Sequence, residues 1–266
     1  MYGAWTNDLE RITASFEHGH PFKHVVIDGF FDPRVADEVA DAIPASSDAF
    51  EFSYNNPVEK KRVISDLDRV PRIKDVFSTL EKNVPLFETI SGIRGLEYDT
   101  DVHGGGVHRF EHGGKLDLHL DYSMHPTTGK ERRLNLIVFM SREWDERWGG
   151  ALELWNANCT ARRASIAPKF NRAVIFATGN VSWHGVPCPV HCPPGMTRDS
   201  IACYFVSDPT PAMDSTRQKA AFVPHPAQQL PPRLLKLYQE RRTRRLEPDD
   251  LWRGWETDPI GRGHWS

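Results

Sequence analysis

Eight short β-rich runs follow one another after Gly95, and they constrain the fold more than any other feature. Breaks of Gly, Asn, Pro or Lys-Glu separate them, and no segment between them is helical enough to cross over between parallel strands. The runs are Val107–Phe110, Lys115–Asp121, Arg133–Met140, Ala151–Trp155, Ala164–Ala167, Ala173–Ala177, Val181–Val186 and Ser200–Val206. This spacing predicts a sandwich or a double-sheet barrel.

The N-terminal third predicts helices packed outside this β core. His24–Ile27 is typical of a short buried strand, and Asp32-Pro33 opens a helix that ends at Pro44. From Asn56 to about Ile93 the pattern is mainly helical. Residues 208–266 form a Pro- and Arg-rich extension in which Leu234–Arg245 predicts a C-terminal helix. We therefore expect an α+β, mainly β chain with one domain over residues 1–266.

The composition limits the classes of binding partner and the cellular compartment that we expect. The 266 residues are 39% hydrophobic and 26% charged with a net charge of −3, which favours neither nucleic acid nor an anionic membrane as partner. The longest apolar runs are too short to span a bilayer, and the N-terminus lacks the continuous apolar region of a secretory signal. Four cysteines in a chain of this length favour a cytoplasmic location. The oligomeric state is left open.

The run Lys115–Asp121 carries the first candidate site residues. Polar and apolar residues alternate strictly in it, so His119 and Asp121 project from the same face of a strand. An imidazole beside a carboxylate supplies two of the three ligands of an iron(II) facial triad. Roughly 1.6 such pairs are expected by chance in this composition, so a solvated strand face is a strong alternative. His184, at the start of a later strand of the same barrel, is the candidate third ligand.

Arg198 and Ser200 form a second candidate group. Both lie just before the buried run Ile201–Val206, and because they are two residues apart on a strand they share one face. An arginine buried there would be costly without an anionic partner, and its planar fork fits a carboxylate bidentately. This pair opposite a metal suits a dicarboxylate that is held at both ends. An exposed surface arginine remains the alternative.

The order of these motifs resembles a known family. His119-x-Asp121, then Gly149–Leu154 (GGALEL), then His184, then Arg198-x-Ser200 is similar to the prolyl-4-hydroxylase-like branch of the 2-oxoglutarate/iron(II) dioxygenases, over residues 21–207. The resemblance implies a double-stranded β-helix (jelly-roll) core. It also implies Fe(II) on His119, Asp121 and His184, and the distal carboxylate of 2-oxoglutarate on Arg198 and Ser200.

The resemblance further implies an O2-dependent hydroxylase. Two positions, one at Phe110 and one at Asp121, bear on this expectation. Relatives often carry a cosubstrate-binding Tyr where this chain has Phe110, which leaves Asn135 on the next strand as the candidate polar contact. Halogenases of the family replace the carboxylate ligand with Gly or Ala, whereas Asp121 is present here. A small molecule, such as an amino acid derivative or a sugar-containing metabolite, is the expected substrate. A prolyl or peptidyl hydroxylase acting on a protein is the alternative.

Other interpretations compete with this one. A cupin-like metal-binding barrel and a non-catalytic binding module would both use a similar fold without 2-oxoglutarate chemistry. Cys188 and Cys192 near His184 invite a zinc site, but a Cys-x3-Cys pair without a second pair favours ordinary loop cysteines. His103, His108 and His112 are expected to be solvated loop residues rather than part of a mobile lid. Trp144, Trp148 and Trp155 are expected in the core, and the arginines near 241–245 on a solvated face.

Overall fold

A computed structural model describes residues 1–232 and 234–236. Its helices are α1 (Leu9–Glu17), α2 (Pro33–Ala42), α3 (Pro71–Lys82) and α4 (Val84–Ser91). Its strands are β1 (His24–Asp28), β2 (Phe52–Asn56), β3 (Glu59–Ile64), β4 (Glu97–Tyr98), β5 (Gly106–Phe110), β6 (Lys115–Leu120), β7 (Glu131–Phe139), β8 (Leu152–Trp155), β9 (Arg162–Ile166), β10 (Arg172–Ala177), β11 (His184–Val186), β12 (Arg198–Ser207) and β13 (Ala221–Val223). The helix predicted over Leu234–Arg245 lies largely outside the described residues and stays a prediction.

The strands form a curled antiparallel sheet with the order β1-β10-β7-β12-β5-β3-β6-β11-β8-β9. β2 pairs with β3, β4 with β12, and β13 with β6. The sheet folds over, so that residues of β6, β8 and β11 and residues of β5, β7 and β12 line one cavity. This is the double-stranded β-helix that the sequence predicts.

The alternation along β12 separates core from cavity. Ile201, Cys203 and Phe205 point to the helical side and join the main hydrophobic cluster, which includes side chains of all four helices. Ser200 and Tyr204 point to the other side and line the cavity. Because helices cover one face and the second half-sheet covers the other, every residue of β12 is buried.

One prediction for the N-terminal third is wrong. The helical pattern expected from Asn56 begins only at Pro71, and residues 52–64 form the β2–β3 hairpin instead. The Asn56 carboxamide oxygen accepts hydrogen bonds from the amides of Val58 and Glu59, which closes the turn. Pairing of β3 with β5 then outweighs the helical propensity of the Lys-Lys-Arg stretch. Within the described residues, no helix has the length and apolarity needed to cross a membrane.

Candidate metal and cosubstrate site

Three potential ligand atoms converge where β6 meets β11. His184 lies opposite His119 in the antiparallel register of these strands, and Asp121 follows the last residue of β6. His119 Nε2 lies 3.6 Å from Asp121 Oδ1, and His184 Nε2 lies 3.5 Å from Asp121 Oδ2. Ligands that each sit about 2.0–2.2 Å from one ion need separations of this size. The three residues predicted from the sequence are therefore brought together, and their role as metal ligands stays a prediction.

The tautomers of both histidines suit a metal. His119 Nδ1 lies 2.9 Å from the carbonyl oxygen of Asp117, and His184 Nδ1 lies 2.8 Å from that of Ser182. A carbonyl oxygen only accepts hydrogen bonds, so each Nδ1 carries the proton and each Nε2 presents its lone pair. Such a bond on the remote nitrogen is how proteins orient metal-binding imidazoles.

The charges are also those that a divalent cation requires. Burial alone would raise the pKa of the Asp121 carboxyl, but the Arg132 guanidinium and the two imidazoles outweigh it and hold that pKa well below its usual range. Burial, together with the neighbouring His119, lowers the pKa of His184 to about 4. At neutral pH the site therefore offers one carboxylate and an unprotonated imidazole on His184, a donor set that fits Fe(II).

A second grouping of potential ligands, Asp99, Asp101 and His125, fails the same tautomer test. His125 Nδ1 accepts hydrogen bonds from the amides of Thr127 and Thr128 at 3.3 and 3.2 Å. Its Nε2 therefore carries the proton, and it lies 3.3 Å from Asp99 Oδ1 without a hydrogen bond to any described residue. Neither ring nitrogen has a lone pair left for a metal.

In a third grouping, Glu153, Cys188 and His225, the tautomer of the histidine is again unsuited to a metal. His225 Nδ1 accepts a hydrogen bond from the amide of Ala227. The zinc alternative raised by the sequence is not favoured, because Cys192 donates its thiol to a carbonyl oxygen and belongs to no such grouping among the described residues. All four cysteines are free thiols.

Arg198 lies on the same cavity as the triad. This cavity, of about 500 Å³, is lined by all three triad residues and by Arg198 and Ser200. The Arg198 guanidinium stacks between the rings of Phe110 and Phe139 at 4.9 and 4.8 Å, and its Nε donates to the carbonyl oxygen of Gly150 at 2.7 Å. Burial lowers its pKa to about 9. Among the residues that the structure describes, no carboxylate forms an ion pair with it, so this buried cation has room for an external anion.

Gly150 makes the Arg198 pocket possible. Its φ of +78° belongs to the left-handed region, and a Cβ there would lie 3.0 Å from Arg198 Cδ and 3.3 Å from the Trp144 ring. The Gly149-Gly150 turn thus lets the backbone approach the guanidinium closely enough to accept its Nε hydrogen bond.

Asn135 faces the metal site. Its amide nitrogen donates to Asp121 Oδ2 at 2.8 Å, and its carbonyl oxygen accepts from Arg132 Nε at 2.8 Å. Its predicted contact with the cosubstrate stays a prediction, since the bonds that it makes are to the carboxylate and to a guanidinium.

Several residues near the site were not predicted from the sequence. Arg217 Nε donates to the backbone oxygen of Asp121 at 2.8 Å, and the Phe222 ring stacks on His119 with centroids 5.2 Å apart. Both belong to the segment after residue 207, and only the short apolar run around Phe222 hinted at a strand there. His108 was expected on a solvated loop, but it lies buried in β5, and burial lowers its pKa to about 3.

Comparison with known proteins agrees with this geometry. Residues 105–206 match the family model of the 2OG-Fe(II) oxygenase superfamily, whereas no curated protein matches the chain. A prolyl hydroxylase from Trichoplax adhaerens, solved with a peptide fragment of hypoxia inducible factor, has a similar fold. Its TM-score is 0.55 at 17% identity, covering 78% of this chain and 94% of that one.

Two further solved structures widen the comparison. A prolyl-4-hydroxylase from Pseudomonas putida has a TM-score of 0.54 at 16% identity, covering 74% of this chain and all of that one. A non-haem α-ketoglutarate-dependent epimerase of nogalamycin biosynthesis has a TM-score of 0.52 at 15% identity, covering 85% and 91%. At these identities the likeness concerns the fold. The match over residues 105–206 shows in addition that this part of the chain is similar to the 2OG-Fe(II) oxygenase superfamily.

Proposed function

We propose that this protein is an Fe(II)- and 2-oxoglutarate-dependent dioxygenase that uses O2 to hydroxylate an unactivated C–H bond of a small molecule, such as an amino acid derivative or a sugar-containing metabolite. The observation that carries the proposal is one cavity with a two-histidine, one-carboxylate triad and a buried arginine that has no ion pair with a described residue. A cupin-like barrel without 2-oxoglutarate chemistry has no use for that arginine.

His119, Asp121 and His184 would hold Fe(II). Their tautomers and charges, described above, leave two imidazole lone pairs and a carboxylate directed at one point. When bound, iron with 2-oxoglutarate and O2 supplies oxidation of the substrate C–H bond, coupled to decarboxylation of 2-oxoglutarate to succinate. Three protein ligands leave three coordination positions for the cosubstrates.

Arg198 would anchor the distal carboxylate of 2-oxoglutarate. Its Nε is occupied by Gly150, so the two terminal nitrogens of the fork are the donors left for a bidentate contact. The guanidinium packs on the rings of Phe110 and Phe139, and Arg198 is buried, which strengthens its attraction for an anion. Ser200, two residues along the same face of β12, is placed to add a hydroxyl contact.

The substrate class rests on the size of the cavity. Pockets of about 300–1,000 Å³ are typical of small-molecule sites, and this one, at about 500 Å³, has space for the cosubstrate and a compact substrate. Hydroxylation of a prolyl or peptidyl residue in a protein is the second candidate, supported by the fold shared with prolyl hydroxylases.

The test is a substrate screen that reads out succinate. Purified protein with Fe(II), ascorbate and 2-oxoglutarate is incubated with amino acid derivatives, sugar-containing metabolites and proline-containing peptides, and substrate-dependent succinate is measured by mass spectrometry. We expect a small-molecule hit whose mass increases by one oxygen atom. A response to peptides alone would favour the second candidate, and Asp121→Ala is the inactive control.

A further inference from the structure

Two side chains of one strand, Asn135 and Arg132, contact the Asp121 carboxylate. Asn135 Nδ2 donates to Asp121 Oδ2 at 2.8 Å, and Arg132 Nη2 lies 3.3 Å from the same oxygen. Arg132 Nε also donates to Asn135 Oδ1 at 2.8 Å, so the three side chains form a closed triangle. His119 Nε2 lies 3.6 Å from the other oxygen, Oδ1, and His184 Nε2 lies 3.5 Å from Oδ2.

Arg132 is rigidly placed. Its guanidinium carbon lies 3.3 Å from the ring centroid of Tyr204 and 4.7 Å from that of Tyr122, so two aromatic rings pack on the planar group. The Tyr204 hydroxyl is fixed in turn by donating to the carbonyl oxygen of Gly104. Arg132 is 4% exposed, and its one ion pair within the described residues is with Asp121. A buried guanidinium with this single ion pair must keep that partner in place.

An irregularity in the sheet explains how Arg132 reaches the site. Along regular β7, Arg132 and Asn135, three residues apart, would point to opposite faces. The pairing with β12 shifts register between Phe205 and Val206. Leu134 lies opposite Phe205 and Arg132 opposite Val206, so Arg133 has no paired residue on β12. Such a bulge changes which face a side chain points to. It therefore brings Arg132 to the cavity side beside Asn135.

We infer that Arg132 and Asn135 are positioning residues that fix the orientation of the Asp121 carboxylate and leave Oδ1 as the oxygen for the metal. The inference rests on the proposed function, because it takes Asp121 to be a metal ligand. Hydrogen bonds to a ligating carboxylate restrict its rotation, and loss of such partners typically weakens metal binding by about 10–100-fold.

The test measures metal binding without turnover. Co(II) is titrated into metal-free protein, and its visible ligand-field absorption reports both affinity and coordination geometry. The variants are Arg132→Met and Asn135→Leu, which keep the volume but remove the donors, and Arg132→Lys, which keeps the charge. Arg133→Met is the matched control, because Arg133 contacts Ser207 and Glu131 rather than the site. Circular dichroism and thermal melts check folding.

We expect Arg132→Met and Asn135→Leu to raise the Kd for Co(II) by about 10–100-fold and to alter the absorption spectrum. Arg132→Lys should recover part of the affinity, and Arg133→Met should match the wild type. Folded variants with wild-type Kd and spectrum would overturn the inference, as would an equal loss in Arg133→Met. If Arg132→Met does not fold, Asn135→Leu alone decides by the same criteria. A wild-type protein that binds no Co(II) would instead contradict the proposed function itself.

Discussion

His184 stands opposite His119 across the β11–β6 pairing, and their imidazole centroids are 4.3 Å apart. Sixty-five positions of chain separate two side chains whose free Nε2 atoms both approach the Asp121 carboxylate. The antiparallel register of the two strands therefore determines the geometry of the site, and a shift of one residue in either strand would turn a ligand away from the cavity.

Removal of the Arg198 side chain should weaken cosubstrate binding without emptying the metal site. We expect Arg198→Ala to reduce 2-oxoglutarate affinity by roughly 1.5–3 kcal/mol, the range for a hydrogen bond to a charged group. Calorimetric titration of 2-oxoglutarate into Mn(II)-loaded protein measures this change. Arg163→Ala, at an exposed position of β9, is the control and should leave the affinity unchanged. A wild-type affinity in Arg198→Ala would contradict the assignment.

A methyl group at Gly150 should disturb the same pocket. Gly150→Ala introduces a Cβ about 3.0 Å from Arg198 Cδ at a φ of +78°, so we expect weaker 2-oxoglutarate binding and lower thermal stability. Gly179→Ala is the matched control, because its Cβ would meet nothing within 4 Å. Equal 2-oxoglutarate affinities in the two variants would show that the close approach at Gly150 has no role in the pocket.

The buried His108 should make the protein less stable in acid. Burial lowers its pKa from 6.5 to about 3 in the folded state. Between these values the unfolded chain binds a proton that the folded chain does not, so stability is lost as the pH falls. From pH 7.5 to 5 we expect this residue to cost about 2 kcal/mol of unfolding free energy.

Urea denaturation of His108→Leu measures that contribution. The variant should lose about 2 kcal/mol less than the wild type over the same pH range. His191→Asn, at an exposed position, should follow the wild type. If His108→Leu shows the wild-type pH dependence, the residue is protonated or solvated in the folded protein.

Much of the site could be predicted from the sequence because it lies on regular strands. The strict alternation in Lys115–Asp121 predicts His119 and Asp121 on one face, and both line the cavity. The pairing of β6 with β11 nevertheless shifts register between Leu116 and His119, so that Leu116 lines the same cavity. Arg198 was expected to be buried beside the cavity, and it is 3% exposed.

The rest depended on irregular or distant pairings that leave no periodic signal. Arg132 reaches Asp121 only through the register shift opposite Val206, and strand alternation alone would direct it away. Phe222 covers His119 because β13 returns to pair with β6 about a hundred residues later in the chain. β3 was predicted as part of a helical stretch because its pairing with β5 is a long-range contact.

Asp121 predicts the outcome of the reaction. With a carboxylate ligand in place, 2-oxoglutarate and O2 occupy the remaining three positions and none is left for a halide. We expect the wild-type enzyme, incubated with its substrate and excess chloride or bromide, to give hydroxylated product only, as read by mass spectrometry. Asp121→Gly should lose hydroxylation and bind metal more weakly. A halogenated main product from the wild type would mean that the carboxylate ligand is misassigned.

The most direct test of the site is the visible charge-transfer absorption of 2-oxoglutarate chelated to Fe(II), recorded without oxygen. We expect the band only when Fe(II) and 2-oxoglutarate are both present. It should vanish in His184→Ala, and Arg198→Ala should need a higher 2-oxoglutarate concentration to develop it. A wild-type protein without the band, or a His184→Ala variant that keeps it, would contradict the assignment of His119, Asp121 and His184 as the iron site.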